Sequence, residues 1–347
     1  MHPRALFHKS LTSQHLLRRA FSTSLRTSTM QTLRVGYVPE HFSTPLHLAH
    51  THFALPATLI PEPLGTGALT TRLKHPPDDP RALDLAVGLT EGFISDLGRN
   101  PPSAPEEGYK LVGTYVESPL CWGISTGAGR KDANSVGDLK GKKVGVSRVG
   151  SGSYVMAFVL AGREGWLKAQ GETGTAAAAA PFDVKVIGDF AALRAAVKEG
   201  AADFFMWEHF TTKHYWDTPD ELKRLGEIYT PWPSWMIAAR TSLITDTASE
   251  SHQLVRTLAE RVDEGVRYFE GHREEAVGMI AGSMGYSHED AEAWMEGVRF
   301  KKGVWGVEGG VVEETVKVLR EAGVLKGEEG LGGVGKMVAV LREEASG

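Results

Sequence analysis

The chain has 347 residues, 41% hydrophobic and 23% charged, with a formal net charge of −5. Those proportions are ordinary for a globular protein that buries one large core or two moderate ones, and no apolar run is long enough to span a bilayer. The single cysteine, Cys121, excludes an internal disulfide and a cysteine-based metal cluster; alone it reads as a small buried hydrophobe in a strand.

Residues 1–30 stand apart. They carry Arg4, Lys9, Arg18, Arg19 and Arg26, no acidic residue, and many Ser and Thr. That is the composition of a mitochondrial transit peptide, and residues 18–24 resemble a matrix-protease processing site. The expected location is therefore the mitochondrial matrix, with a cytosolic form from a start at Met30. Taking those five positive charges from the overall −5 leaves the remainder at −10. A chain this acidic, with no basic patch, makes nucleic acid a poor partner.

From residue 32 the pattern alternates. Residues 33–38 form a predicted strand, and 46–53 a helix entered through Ser43-Thr44-Pro45, where proline suits the first turn. Strands are expected over 57–61 and 83–88, with a helix from 67 to 74 between them. Strands alternating with helices imply a parallel sheet covered on both faces, with ligands at the carboxyl ends of the strands. Residues 99–108 are a loop, and 110–116 and 122–125 are extended. Residues 135–139 lead into a second strand–loop–helix unit over 142–154. Residues 171–180, ending in five alanines, are a low-complexity surface insertion. A strand over 181–187, a helix over 190–199 and a strand over 202–206 follow. Residues 248–326 look helical, with a stripe at Leu254, Leu258, Val262, Val266 and Phe269, and a short helix is expected over 336–344.

The two strand–loop–helix units, at 33–45 and 142–154, each aim a helix N-terminus beyond a strand end, a setting that favours an anion. In the second, Ser147, Arg148, Gly150, Ser151, Gly152 and Ser153 combine close backbone approach with hydroxyl donors. It lacks the lysine of a P-loop, and an ordinary capped turn is the simpler alternative. In the first, Glu40 would meet a cationic group and His41 an anion, with Ser43 and Thr44 at the helix entry. Thr66-Gly67 and Thr90-Glu91 are further loops after strands. Ser118 marks a crossing between halves, and Trp232 to Trp235 the return. Trp207-Glu208 follows a strand and offers an apolar wall and a polar reader. His47 and His50 share a helix face, but no carboxylate or cysteine cluster completes a metal shell.

The string from Val38 to Pro45, the segment Tyr115 to Leu120, and Asp138-Leu139-Lys140-Gly141-Lys142-Lys143-Val144-Gly145-Val146 resemble the type II periplasmic-binding-protein fold. More narrowly they resemble its fungal Ca3427-like branch, related to solute-binding proteins for nitrate, sulfonate and taurine. The resemblance covers about residues 32–245. It implies a two-lobed α/β fold, each lobe a mainly parallel sheet flanked by helices, with a ligand cleft between them. The implied division is 31–118 for the first part of lobe 1, 119–234 for lobe 2, and 235–347 for the return to lobe 1 with C-terminal helices. The function implied is hinge-closing binding of a small anionic or polar metabolite. One alternative is an enzyme on the same scaffold, acting on a small heterocyclic or sulfonate-like metabolite. Another is a protein-interaction module with a degenerate cleft. Related thiamine-pyrimidine synthases use a lysine-bound pyridoxal phosphate and a cysteine-rich segment. Here no lysine lies between Gln31 and Leu73, so no cofactor is implied, and no catalytic set is legible from spacing. The oligomeric state is open, monomer included.

Overall fold

The computed structural model describes residues 32–101, 104, 107–167 and 181–343. The basic N-terminal segment expected to be a transit peptide, the alanine-rich insertion and part of the 99–108 loop lie outside them. The first lobe runs β1 (Leu33–Tyr37), α1 (Thr44–His52), β2 (Ala57–Pro61), α2 (Thr66–Leu73), β3 (Leu85–Leu89), α3 (Thr90–Arg99) and β4 (Tyr109–Val116). The chain crosses over residues 117–120 into β5 (Cys121–Gly127), β6 (Lys143–Val146), α4 (Gly152–Arg163), β7 (Asp183–Val186), α5 (Phe190–Glu199), β8 (Phe204–Glu208), α6 (His209–Asp217) and β9 (Leu222–Tyr229). It returns over residues 230–234 into β10 (Trp235–Arg240).

Two five-stranded sheets result, ordered β2-β1-β3-β10-β4 and β7-β6-β8-β5-β9. The order is the same in both: the strand arriving from the other lobe lies fourth and runs against its neighbours, and the strand that leaves takes the edge. The remaining pairs are parallel, with helices as crossovers. The two crossings lie side by side. Ser118 carbonyl accepts from Ser234 Oγ at 2.7 Å, Thr230 N donates to the Leu120 carbonyl, and Leu120 N donates to Thr230 Oγ1 at 2.9 Å.

Local chemistry sets the helix starts. Pro45 occupies the first turn of α1, and Thr44 Oγ1 donates to the His41 carbonyl at 2.8 Å. Ser151 caps α4, Asp189 caps α5 and Ser249 caps α7 (Glu250–Gly271), each accepting a backbone N–H of the first turn. The α7 stripe buries Val255, Leu258, Val262, Val266 and Phe269, so Val255 takes the place expected of Leu254. Among the described residues no helix is long and apolar enough to cross a membrane.

The stretch expected to be helical to 326 is interrupted. After α8 (Arg273–Met284) and α9 (His288–Gly297), residues 298–308 run extended along the free edge of β4. Lys301 N donates to the Tyr115 carbonyl and Gly306 N to the Val112 carbonyl. Gly303 and Gly306 have φ of 71° and 93°, which a helix does not accommodate. The segment ends in β11 (Val307–Glu308), before α10 (Gly309–Glu321). The helix expected over 336–344 is instead α11 (Gly333–Met337) followed by β12 (Leu341–Arg342), which pairs in parallel with β11 and so covers another backbone edge.

One core runs through both lobes, joining Leu46, Leu69, Phe93 and Tyr115 to Trp122, Ile124 and Met156. Helices α1 and α7 pack tightly: a Cβ on Gly265 would stand 2.3 Å from the Pro45 carbonyl oxygen. Gly265→Ala should therefore destabilise the protein by about 1–3 kcal/mol through overpacking, although alanine favours a helix interior by about 1 kcal/mol. Urea unfolding checks this; a variant as stable as wild type would refute the close-packing argument.

Candidate functional site

The two lobes enclose a cavity of about 560 Å³. Its walls come from the strand ends and loops of both lobes: Glu40, Leu64 and Thr66 on one side, Ser147, Arg148, Ser151, Gly152, Ser153, Trp207 and Glu208 on the other. Trp122 and Trp235, from the strands beside the two crossings, close the back.

The turn before α4 is self-supporting. Ser151 Oγ donates to the Arg148 carbonyl at 2.8 Å and accepts from Tyr154 N; Ser153 Oγ lies 3.0 Å from Ser151 Oγ and accepts from Ser147 N at 3.1 Å. Both hydroxyls are thus spent on the loop. What the turn offers a ligand is the backbone N–H of Gly152 and of Ser153, the first helical residues, which have no partner inside the helix. Gly150, with φ of 78°, turns the chain into the helix.

Two cations stand near this N-terminus. Arg148 is half-buried against Gly67, whose missing Cβ would lie 2.3 Å from the guanidinium. Arg99, at the end of α3, lies against Gly150. Burial first, and the Arg99 charge second, hold the Arg148 guanidinium below its usual range, without making it neutral. Among the described residues neither arginine is in an ion pair.

Carboxyls complete the polar set. Glu91, 0% exposed, accepts from Trp232 Nε1 at 3.1 Å, while its Oε1 has no partner among the described residues and faces Gly152, where a Cβ would stand 2.8 Å away. Burial pushes Glu91 up to about 7, against the pull of its hydrogen bonds. Burial and the nearby Glu208 push Glu40 up to about 8. Burial would raise Glu208 as well, but His41 and the N–H groups of Thr211 and Phe210 outweigh it and hold that carboxylate below its usual range. Trp122 Nε1 and Trp235 Nε1 are two further buried donors without a partner among the described residues. The apolar wall is Trp207 stacked on Phe190 at 5.2 Å.

Seven of the residues named from sequence serve elsewhere. His41 is buried off the cavity: its Nδ1 is 2.7 Å from the Tyr286 hydroxyl and its Nε2 3.6 Å from Glu208 Oε1. Tyr286 also reaches Thr211 Oγ1 at 2.9 Å, so this chain of side chains ties lobe 1 to α6 of lobe 2. Ser43 Oγ donates to the Glu40 carbonyl, Thr44 shapes the α1 entry, and Thr90 Oγ1 donates to the Pro233 carbonyl. Ser118 Oγ accepts from Arg299 N. Gly67 and Gly150 act by receiving the two arginines. Arg99, Trp122 and Phe190 were not among the site residues legible from sequence, whereas Trp232 and Trp235 were named there with the return crossing: Trp235 lines the cavity and Trp232 reaches the site through Glu91.

The fold and this cleft define a protein of the type II periplasmic-binding-protein class. The family model described as Ca3427-like PBP matches residues 122–228. The structure of a Candida albicans protein, described as defining a family with the generic periplasmic-binding-protein fold, is 33% identical, covers 91% of this chain and 98% of its own, and superposes with a TM-score of 0.75. The chain belongs to that Ca3427-like family. It is also similar in fold to the aliphatic-sulphonate-binding protein of Escherichia coli (16% identity, 86% and 95% covered, TM-score 0.60). A third similar structure is the alkanesulfonate-binding protein of Xanthomonas axonopodis pv. citri bound to MOPS (16%, 86% and 96%, 0.64). No curated protein matches the sequence.

The Glu91 carboxyl makes stability depend on pH. Folded, it keeps its proton up to about 7; unfolded, it loses it near 4.5. Between those values the folded state binds more protons, so stability falls as pH rises through the window. Glu91→Gln should remove on the order of 2 kcal/mol of that fall. Denaturant unfolding across this pH range measures it; an unchanged slope in the variant would show that Glu91 does not titrate there.

Proposed function

We propose that this protein binds a small anionic metabolite by closing its two lobes around it. The observation that carries the reading is the pairing of Arg148 and Arg99, one from each lobe and neither in an ion pair, beside the free N–H groups that open α4. An anion there gains charge-assisted hydrogen bonds and a favourable helix terminus. The Glu91 carboxyl, raised to about 7 by burial, faces the same turn and in its neutral form adds a donor. Trp207 and Phe190 suit a flat or apolar body attached to the anionic group, and about 560 Å³ accommodates a small metabolite. The sulfonate ligands of two proteins with the same fold place alkanesulfonates among the first candidates. Closure would bend the paired crossings at residues 117–120 and 230–234, short segments with little else to distort.

Native mass spectrometry of the protein purified from its own host, compared with its denatured mass, should reveal a discrete small adduct. Calorimetric titration with an alkanesulfonate, a matched carboxylate and a neutral amide should rank the two anions above the amide. Arg148→Ala should weaken anion binding by about 10- to 100-fold, the worth of a hydrogen bond to a charged group. Equal affinity for the neutral analogue, or an unaffected Arg148→Ala, would overturn the reading.

The basic, acid-free residues 1–30 support delivery to the mitochondrial matrix, with translation from Met30 supplying a cytosolic form. Fractionation of cells expressing the full chain and a chain begun at Met30 should place the first in mitochondria and the second outside; identical distributions would refute it.

A further inference from the structure

Away from the cleft, three side chains of metal-ligating type meet on the face of the second sheet opposite Trp122. Cys121 opens β5 and stands across from Tyr229 of β9, and Glu227, two residues back, shares that face. His209 begins α6 directly after β8. Cys121 Sγ is 3.7 Å from His209 Nδ1, and His209 Nδ1 is 3.4 Å from Glu227 Oε2. The three ligand atoms all lie within 4.8 Å of one another.

The sulfur–nitrogen and nitrogen–oxygen separations match two edges of a tetrahedron. With zinc–sulfur bonds of about 2.3 Å and zinc–nitrogen or zinc–oxygen bonds of about 2.0–2.1 Å, the sulfur–nitrogen edge is about 3.6 Å and the nitrogen–oxygen edge about 3.3 Å. The imidazole is also braced. Gly123 has no Cβ, which would stand 2.5 Å from the Trp216 ring, so Trp216 settles on the strand and donates its Nε1 to Ser125 Oγ at 2.9 Å. His209 then meets Trp216 edge-on, centroids 5.0 Å apart. Arg224 donates to the same Glu227 Oε2 and steadies the carboxylate beside His209.

We propose that Cys121, His209 and Glu227 form a three-ligand site for a thiophilic divalent cation, zinc foremost, with a fourth position open to solvent. A thiolate, an imidazole and a carboxylate together are a donor set that zinc takes readily, whereas magnesium and calcium prefer oxygen alone. The His209 and Glu227 side chains are 15% and 33% exposed, so a cation can enter without unfolding the sheet. The site is separate from the anion cleft, sharing with it only the adjoining residues Trp122 and Glu208.

The test uses the full chain, freed of metal by a chelator and titrated with cobalt(II). Cys121 is the chain's only cysteine, so a thiolate-to-cobalt charge-transfer band in the near ultraviolet can arise only here. The expected result is a band saturating at one equivalent, with visible absorption of tetrahedral intensity, and displaced by zinc. Cys121→Ser should abolish the band while the circular dichroism stays native. His209→Ala and Glu227→Gln should each weaken cobalt binding about tenfold or more, since even an outer-shell partner is worth that much. Absence of the band at saturating cobalt would overturn the proposal. So would a band of unchanged affinity in both His209→Ala and Glu227→Gln, which would make the cysteine a lone ligand.

Discussion

The cleft depends on one approach, that of the Glu91 carboxyl to the first turn of α4. Glu91 belongs to lobe 1 and α4 to lobe 2, and Gly152 is the residue that lets them meet. A Cβ there would strike both Glu91 Oε1 and the Trp122 ring, each at 2.8 Å, and would hold the lobes apart at the point where the α4 dipole is most useful. A carboxyl with no exposed surface is costly when ionised and incompletely paired. Trp232 satisfies one oxygen, and among the described residues no group satisfies the other. Burial raises this carboxyl to about 7, which favours the neutral form and a donor facing Gly152. This explains how an acidic residue can sit beside an anion-favouring helix terminus without competing for it.

Much of the scaffold could be read from residues close in sequence. The run Leu33 to Tyr37, the polar turn after it and Pro45 in the first helical turn define a strand–loop–helix by local rules alone, and Lys143 to Gly152 repeats the pattern. Loops at the ends of parallel strands border the cleft, so Glu40, Thr66, Arg148 and Trp207 were legible. The residues that escaped owe their place to pairing between distant strands. Trp122 lies on β5, which arrives from the opposite lobe, and a hydrophobic pattern marks such a position as buried without saying which wall it joins. Arg99 looks in sequence like a cation complementing the end of its own helix; only the second lobe gives it another meaning.

Hydroxyl groups show the converse. Ser151, Ser153, Ser43 and Thr90 have the chemistry of ligand donors, and local reasoning cannot tell a donor to a ligand from a donor to a neighbouring carbonyl. Here each is bound within its own turn or crossing, so rigidity of the loop is their contribution and the backbone N–H groups are left for the ligand. The extended segment over 298–308 was obscured for a related reason. Its valines and aromatic residues suit a buried helix as well as a strand, and the free edge of β4, nearly two hundred residues earlier, decides between them.

Arg99 and Arg148 connect binding to shape. They approach from different lobes closely enough for the Arg99 charge to lower the Arg148 pKa, so bringing the lobes together concentrates like charge in a partly dry space. An anion between them converts that repulsion into two attractions, and its binding energy differs between open and closed arrangements by both contributions. A ligand shifts a conformational equilibrium only by such a difference in affinity. In the proposed function, closure is therefore driven by the charge of the ligand, while His41–Tyr286–Thr211 and Lys213–Asp290 tie the same two lobes together. A neutral molecule of the same shape fills the Trp207 wall and leaves the two guanidinium groups opposed, so it has no means of holding the lobes shut.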